Sequence, residues 1–189
     1  MKRLWTPWRM KYLKENKGEP GGCIFCSKLR DGVEKDHDNL VLLRGERAFA
    51  MLNLYPYANG HMMVAPYEHT GELESLDSET LKEMMSLVSK GICALRHVSN
   101  PQGFNVGVNE GSAAGAGVAD HVHIHIVPRW RGDTNFMGVV AETRMIPELL
   151  PQTYDSLIAA FKAEDAATAR RKSKKPLTTR RRKIERQVK

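Results

Sequence analysis

Three histidines stand at alternate positions of one short apolar segment, and this alternation constrains the fold more than any other feature of the chain. Residues 121–127 read His-Val-His-Ile-His-Ile-Val. Successive side chains of a β-strand point to opposite faces, so His121, His123 and His125 would line one face at intervals of about 7 Å. The valine and isoleucines between them would point into an apolar core. The segment therefore predicts a strand with one imidazole face and one buried face.

The rest of the hydrophobic pattern adds further strands and two helices. Short apolar runs bounded by turn residues predict strands at 39–43, 48–54, 61–66 and 103–109. Apolar residues at helical spacing predict a long central helix over about 77–100, and a last helix is expected to start beside Pro147 or Pro151. Strands, one long helix and strands again favour an α+β fold with a mostly antiparallel five-stranded sheet.

The net charge of the chain is concentrated in its last residues. The whole chain of 189 residues carries +7, whereas residues 170–189 hold eleven Lys or Arg against one acid. The remainder is therefore close to −3. Such a tail binds nucleic acid by counterion release or remains a solvated, disordered extension, and the composition leaves both open. Because no long apolar run or leader pattern is present, we expect a soluble, cytoplasmic protein with no membrane partner.

The imidazole row admits two kinds of chemistry, since such rows hold a metal ion or act on phosphorus. The loop before it, residues 109–117, reads Asn-Glu-Gly-Ser-Ala-Ala-Gly-Ala-Gly. Small residues let backbone N–H groups approach a ligand closely, which suits a phosphate better than a cation. The position of this loop favours phosphorus chemistry, although a three-histidine metal site is possible in principle.

The cysteines suggest a separate site. Three cysteines are too few for a disulfide scaffold in a chain of this length. Cys23 and Cys26 form a Cys-x-x-Cys pair, which is typical of metal sites and of redox centres. No helix start typical of a redox motif is evident after the pair, so the metal interpretation is favoured over a redox pair or two reduced, unliganded cysteines.

The triad segment resembles the His-φ-His-φ-His-φ-φ signature of the histidine triad superfamily of nucleotidyl hydrolases and transferases. Residues 60–69, Gly-His-Met-Met-Val-Ala-Pro-Tyr-Glu-His, are similar to the Gly-His-x-Leu-Val-x-Pro-x-x-His segment of that family, and residues 52–56 to its ribose-binding strand end. Residues 4–9, Leu-Trp-Thr-Pro-Trp-Arg, and residues 128–136 resemble a narrower branch, the bacterial diadenosine tetraphosphate phosphorylase-like proteins. The resemblance implies a histidine triad fold and a nucleotide substrate.

The resemblance also implies a role for each site residue. His123 would attack the α-phosphorus and form a covalent AMP-histidine, His125 would contact the phosphate and leaving-group oxygen, and His61 would hold the nucleophile. Asn53 would bind the ribose. The implied phosphate-side contacts are Asn109, Gly115, Ala116 and Gly117, in a loop one residue longer than the usual family loop.

Phosphorolysis of diadenosine tetraphosphate to ADP and ATP, with inorganic phosphate as acceptor, is the reaction implied first. Hydrolysis of dinucleoside polyphosphates or adenosine phosphoramidates is the alternative, and a nucleotide- or RNA-binding module with incidental catalysis is a third. Arg129 and Arg131 either bind the incoming phosphate or belong to an ion-paired turn. The family pairs across a two-fold axis, so a homodimer or tetramer is expected.

The resemblance finally implies a structural zinc held by Cys23, Cys26, His69 and His121. The two thiolates and two imidazoles form a common tetrahedral zinc set. The implied organisation is a histidine triad domain at 21–136 between helical extensions at 1–20 and 137–168, followed by the basic tail at 169–189.

Overall fold

The computed structural model describes residues 22–133 and 148–173. The predicted N-terminal extension at 1–20, the first part of the C-terminal extension and most of the basic tail lie outside the described residues.

The described chain forms four α-helices and a five-stranded antiparallel sheet. The helices are α1 (Ile24–Arg30), α2 (Asp36–Asn39), α3 (Ser78–Ser99) and α4 (Leu150–Ser173). The strands are β1 (Val41–Arg44), β2 (Ala48–Leu52), β3 (Met62–Pro66), β4 (Gly103–Val108) and β5 (Ile124–Arg129), in the sheet order β1-β2-β3-β5-β4. Short 3₁₀ turns lie at Val33–Lys35, Leu73–Ser75 and Ser112–Ala114. The α+β prediction, with its five strands, long central helix and C-terminal helix, is confirmed.

Helix α3 begins and ends where its sequence provides caps. The Asp77 carboxylate accepts a hydrogen bond from the Thr80 N–H at 2.8 Å, and Asn100 closes the helix in the left-handed conformation at φ 43°. Its apolar face packs on one side of the sheet. Gly91 makes the approach close, since a Cβ there would lie 3.1 Å from the Met62 Cε and 3.2 Å from the Ile126 Cδ1.

The sheet separates two apolar layers. One layer packs α3 and α4 against the faces of β2, β3 and β5 that carry Leu52, Val64 and Ile126. The other layer contains Phe25 of α1, together with Phe49 and Met63 on the opposite faces of β2 and β3. Because β3 pairs with β5 at Met63 and His125, the His125 side chain lies on the α1 side of the sheet. The predicted division into an imidazole face and a core face is therefore confirmed for this strand.

Strand β5 is shorter at its N-terminal end than predicted. Ladder pairing begins at Ile124, so His121 and His123 precede the strand instead of lying in it. The reason is that the backbone here bonds to a segment outside the sheet, since the Val122 N–H donates to the Thr70 carbonyl at 2.7 Å. Val122 is nevertheless buried in the core, as the sequence predicted.

Helix α4 packs against the sheet by its first three turns. Tyr154, Leu157 and Phe161 are buried in the α3 layer, and the Tyr154 hydroxyl donates to the Val41 carbonyl at 2.9 Å. The helix continues to Ser173, past residue 169, where the tail was expected to begin. None of the helices within the described ranges is long and apolar enough to cross a membrane.

We predict that Gly60→Ala destabilises the protein by about 1–3 kcal/mol, because residue 60 has φ +75° and an added Cβ would lie 2.7 Å from the Leu95 Cδ2. Gly103→Ala is the matched control, since a Cβ there meets nothing within 4 Å. Its unfolding free energy in urea should stay within about 0.5 kcal/mol of the parent. Equal midpoints for the two variants would contradict this account of the turn before His61.

Candidate active site

His121 faces away from the other two triad histidines. Its Nε2 lies 2.9 Å from the Pro66 carbonyl oxygen, and a carbonyl can only accept, so Nε2 carries the proton. The Nδ1 lone pair therefore points toward three other groups. It lies 3.2 Å from the Cys23 Sγ, 3.6 Å from the Cys26 Sγ and 3.3 Å from the His69 Nδ1.

Cys23, Cys26, His69 and His121 form one cluster, as the sequence predicted, and their ligand atoms all lie within 4.8 Å of one another. Since His121 presents a lone pair at Nδ1, it can ligate a cation without changing its tautomer. Two sulfurs and two imidazole nitrogens at these separations fit the tetrahedral set preferred by zinc. The Pro66 carbonyl is the outer partner that ligating histidines usually have.

The expectation that no helix follows the cysteine pair is wrong. Cys23 is the N-cap of α1, and Cys26 lies in its first turn. This is a helix start of the kind that redox motifs use, but a reactive thiol needs a lowered pKa. Burial instead raises the pKa of Cys23, and both sulfurs face imidazole nitrogens. The cluster therefore favours a metal over a redox pair.

His123 has its tautomer fixed by the backbone. Its Nδ1 lies 2.9 Å from the His121 carbonyl oxygen, so Nδ1 carries the proton and Nε2 is left with its lone pair. The residue is buried, and this burial lowers the pKa of the imidazole. A neutral ring with an unprotonated Nε2 is the state that a nucleophilic histidine needs.

His61 and His125 form a hydrogen-bonded pair whose direction is also determined. The Tyr57 N–H donates to the His61 Nδ1 at 3.1 Å, so the proton of His61 is on Nε2. That Nε2 lies 3.0 Å from the His125 Nδ1, which must accept, and His125 is left with its proton on Nε2. Its ring centroid is 4.7 Å from that of His123. A lone pair on one imidazole and a proton on the next are thus presented side by side.

The pKa values keep this pair neutral. Burial, followed by repulsion from His125 and His123, lowers the pKa of His61 to about 3. Burial and then His123 lower the pKa of His125 to about 4. Between these values and the ordinary 6.5, the unfolded chain binds more protons than the folded one, so these residues make stability fall as pH decreases below about 6.5.

Two aromatic residues that the sequence analysis did not identify contact the site. Phe25 packs against both a candidate metal ligand and the candidate nucleophile, with its ring centroid 5.0 Å from that of His121 and 4.9 Å from that of His123. Tyr57 stacks on His61 at 4.8 Å and is partly exposed. Phe25 lies between the two cysteines of the Cys-x-x-Cys pair, and Tyr57 lies four residues before His61. These positions are the sequence signals that could have identified the two aromatic residues as part of the site.

Asn53 lies beside His61, and its role toward the ribose stays a prediction. Its Nδ2 is 3.3 Å from the His61 Nδ1, and its Oδ1 accepts from the Tyr55 N–H at 2.9 Å. This turn fixes the start of the loop between β2 and β3, which we call the 53–61 loop.

The small-residue loop that begins at Asn109 has a defined turn. Gly111 and Gly115 have φ of 73° and 87°. The Gly115 N–H donates to the Ser112 carbonyl and the Ala116 N–H to the Gly111 carbonyl. In this conformation those two donors stabilise the loop itself, so their predicted phosphate contacts, with those of Asn109 and Gly117, remain predictions.

Arg129 belongs to an ion-paired turn. Its guanidinium contacts the Asp133 carboxylate at 2.6 and 3.0 Å and the Asn105 Oδ1 at 3.0 Å. The sequence left open whether Arg129 binds the incoming phosphate or belongs to an ion-paired turn, and these contacts are those of an ion-paired turn.

The family model for the HIT domain matches residues 34–132, and the chain belongs to this family of histidine triad proteins. An "AP-4-A phosphorylase" from Mycobacterium tuberculosis is 43% identical over 157 residues, which cover 81% of this chain and 80% of that protein. The predicted family, with its diadenosine tetraphosphate phosphorylase-like branch, is thereby confirmed.

More distant similarities point to the same family. An adenosine 5'-monophosphoramidase from Schizosaccharomyces pombe is 34% identical over 107 residues, covering 57% of this chain and 74% of that protein. A zinc-bound histidine triad family protein from Mycobacterium smegmatis has a solved structure that matches with a TM-score of 0.62 at 27% identity, covering 77% of this chain and 97% of that chain.

We predict that nitrogen-15 NMR of the histidine rings at pH 7.5 finds His123 protonated at Nδ1 and both His61 and His125 protonated at Nε2. His61 and His125 should stay neutral down to about pH 5, given pKa values of about 3 and about 4. The exposed His97 serves as an internal control and should show averaged ring-nitrogen shifts. A proton on the Nε2 of His123 would contradict the assigned site.

Proposed function

We propose that this protein transfers an adenylyl group through a covalent AMP-His123 intermediate, and that diadenosine tetraphosphate is its substrate. The observation that carries the proposal is the pair of fixed tautomers. The His123 Nε2 offers a lone pair, and the neighbouring His125 offers a proton at Nε2. A phosphoryl group between them meets a nucleophile and a hydrogen-bond donor without any prior proton transfer.

In the first step, the His123 Nε2 attacks the α-phosphorus and the bond to the bridging oxygen breaks. ATP leaves, and the His125 Nε2–H donates to the oxygen that takes the electron pair. The developing imidazolium of His123 is stabilised because its Nδ1–H already donates to the His121 carbonyl. Asn53 is proposed to hold the ribose hydroxyls, and the loop residues Asn109 and 115–117 the phosphate oxygens.

In the second step, an oxygen of inorganic phosphate attacks the same phosphorus and the bond to His123 breaks. The products are ADP and a regenerated neutral imidazole, so the sum is diadenosine tetraphosphate plus phosphate giving ADP plus ATP. The similarity to the mycobacterial AP-4-A phosphorylase supports phosphate as the acceptor. The similarity to the yeast monophosphoramidase supports the second candidate, in which water takes the same position and AMP is released.

We also propose that Cys23, Cys26, His69 and His121 hold a structural zinc ion. Bound zinc would supply a positive charge to the facing lone pairs of the two histidines and tie α1 to the end of the triad segment. Phe25 of α1 packs on His123. By fixing α1, the zinc site would therefore also support the position of the proposed nucleophile. The similarity to a zinc-bound family member is consistent with this assignment.

A homodimer or tetramer remains our expectation for the assembly. Strand β4 is an edge of the sheet, and its Val106 is exposed, as is Met85 on α3. These features support pairing across a two-fold axis through the edge strand and central helix.

We predict that omitting inorganic phosphate slows cleavage of diadenosine tetraphosphate at least tenfold, which is about 1.4 kcal/mol of barrier. Restoring phosphate should make ADP the product that accompanies ATP, as measured by anion-exchange chromatography. His123→Ala should abolish turnover under both conditions, while His97→Ala, an exposed change on α3, should keep the parent rate. Equal rates without phosphate, with AMP in place of ADP, would establish the hydrolase instead.

We predict one zinc per chain in protein purified without chelator, measured by elemental analysis. Cys26→Ser should lower both the zinc content and the melting temperature, because binding free energy at a structural site is also folding free energy. Cys93→Ser, which changes an exposed thiol outside the cluster, is the matched control and should change neither. Absence of stoichiometric metal from the parent protein would refute the zinc proposal.

A further inference from the structure

The carboxylate of Glu148 ties the beginning of α4 to the 53–61 loop. Its Oε2 accepts from the Asn59 Nδ2 at 2.9 Å and from the Thr153 Oγ1 at 2.6 Å. Asn59 belongs to the loop that precedes β3, whereas Glu148 and Thr153 lie at the start of the C-terminal helix. Glu148 and Thr153 both lie beyond residues 34–132, the part of the chain that the family model matches.

This three-residue link rests on a rigid support. Thr153 is 2% exposed, and the next residue, Tyr154, is anchored to β1 by its hydroxyl. Leu157, one turn further along α4, is fully buried in the α3 layer. The helix start is therefore fixed relative to the sheet, and the link transmits that fixed position to Asn59.

Asn59 lies inside the turn that determines the His61 tautomer. The Tyr57 N–H donates to the His61 Nδ1, and the His61 N–H donates back to the Ala58 carbonyl at 3.1 Å. Residue 59 lies within the stretch of chain that each of these two hydrogen bonds spans, from residue 57 or 58 to residue 61. A displacement of Asn59 would move the Tyr57 N–H away from the His61 Nδ1. Only the longer contact from the Asn53 Nδ2, at 3.3 Å, would then favour the proton on the His61 Nε2.

We propose that Glu148, Asn59 and Thr153 are positioning residues for the transfer reaction. They act through the 53–61 loop on the proton of His61, and through His61 on the Nδ1 of His125, so that His125 presents its Nε2–H to the leaving group. The inference about turnover rests on the proposed function, whereas the inference about the His61 proton does not.

The test exchanges the hydrogen-bond donor and acceptor of the link between residues 59 and 148. Asn59→Asp replaces the amide donor by a second carboxylate, and the single Thr153 hydroxyl proton can donate to only one of the two, which should displace the loop. Glu148→Gln added to Asn59→Asp restores a donor and an acceptor in the reverse direction. Asp155→Asn is the matched control, because it exchanges a carboxylate for an amide on an exposed α4 side chain that contacts His37 at 3.7 Å and is no part of the link. Nitrogen-15 NMR of the histidine rings in the full-length free protein and steady-state kinetics are measured for each.

We expect Asn59→Asp to lose the single Nε2–H signals of His61 and His125 and to lower kcat about tenfold, since small misplacements of reacting groups are costly. The double variant should recover the parent signals and come within about threefold of the parent kcat. Asp155→Asn should keep the parent ring signals and kcat, because it leaves the contacts among Glu148, Asn59 and Thr153 in place. If Asn59→Asp does not fold, Thr153→Val is measured in its place. This variant removes the hydroxyl donor of the link, and we expect the same loss of ring signals and of kcat.

Two results would overturn the proposal. The first is an Asn59→Asp or Thr153→Val protein that keeps the parent ring signals and kcat. The second is an Asp155→Asn protein that loses the ring signals to the same extent, because any change of charge at the start of α4 would then have the effect assigned to the link. If the parent protein turns over no dinucleotide, the proposed function fails, and the ring signals of the variants still decide the positioning role.

Discussion

The hydrogen bond from the His123 Nδ1–H to the His121 carbonyl is the constraint on which the site depends. A buried backbone carbonyl needs a donor, and here the donor is the ring of the residue two positions later. The bond is possible because the chain has not yet entered the sheet at this point, so that the His121 carbonyl has no ladder partner in β3 or β4. The late start of β5 therefore orients the proposed nucleophile.

The same logic applies to the other imidazoles, and it requires them to be neutral. The Pro66 carbonyl specifies the proton of His121, and the Tyr57 N–H specifies that of His61. A protonated ring would have two donors, and the bond between His61 and His125 would then lose its acceptor. Burial lowers the pKa of these rings, and the closeness of several of them opposes any second charge. Desolvation is thus a requirement of the hydrogen-bond arrangement.

Much of this site could be predicted from the sequence, because its residues fall in local patterns. The alternation in 121–127 predicted the face of His125, and the spacing of Cys23 and Cys26 predicted a shared ligand site. The start of α1 and the start of β5 at Ile124 could not be predicted in this way. They depend on contacts between distant segments, such as Val122 with Thr70 and Phe25 with His123. Residue identity determines which face is apolar, whereas long-range hydrogen bonds determine where a strand ends.

The two parts of the site are supported from opposite ends of the described chain. Helix α1, which precedes the region matched to the family, packs Phe25 on His121 and His123. Helix α4, which follows that region, contacts the loop of His61 through Glu148. Each support acts on a buried group that must hold one tautomer, and a hydrogen bond contributes only about 1 kcal/mol net to such a preference. A preference of that size lasts only while the surrounding backbone is held in place, and the packing of α1 and α4 can provide this.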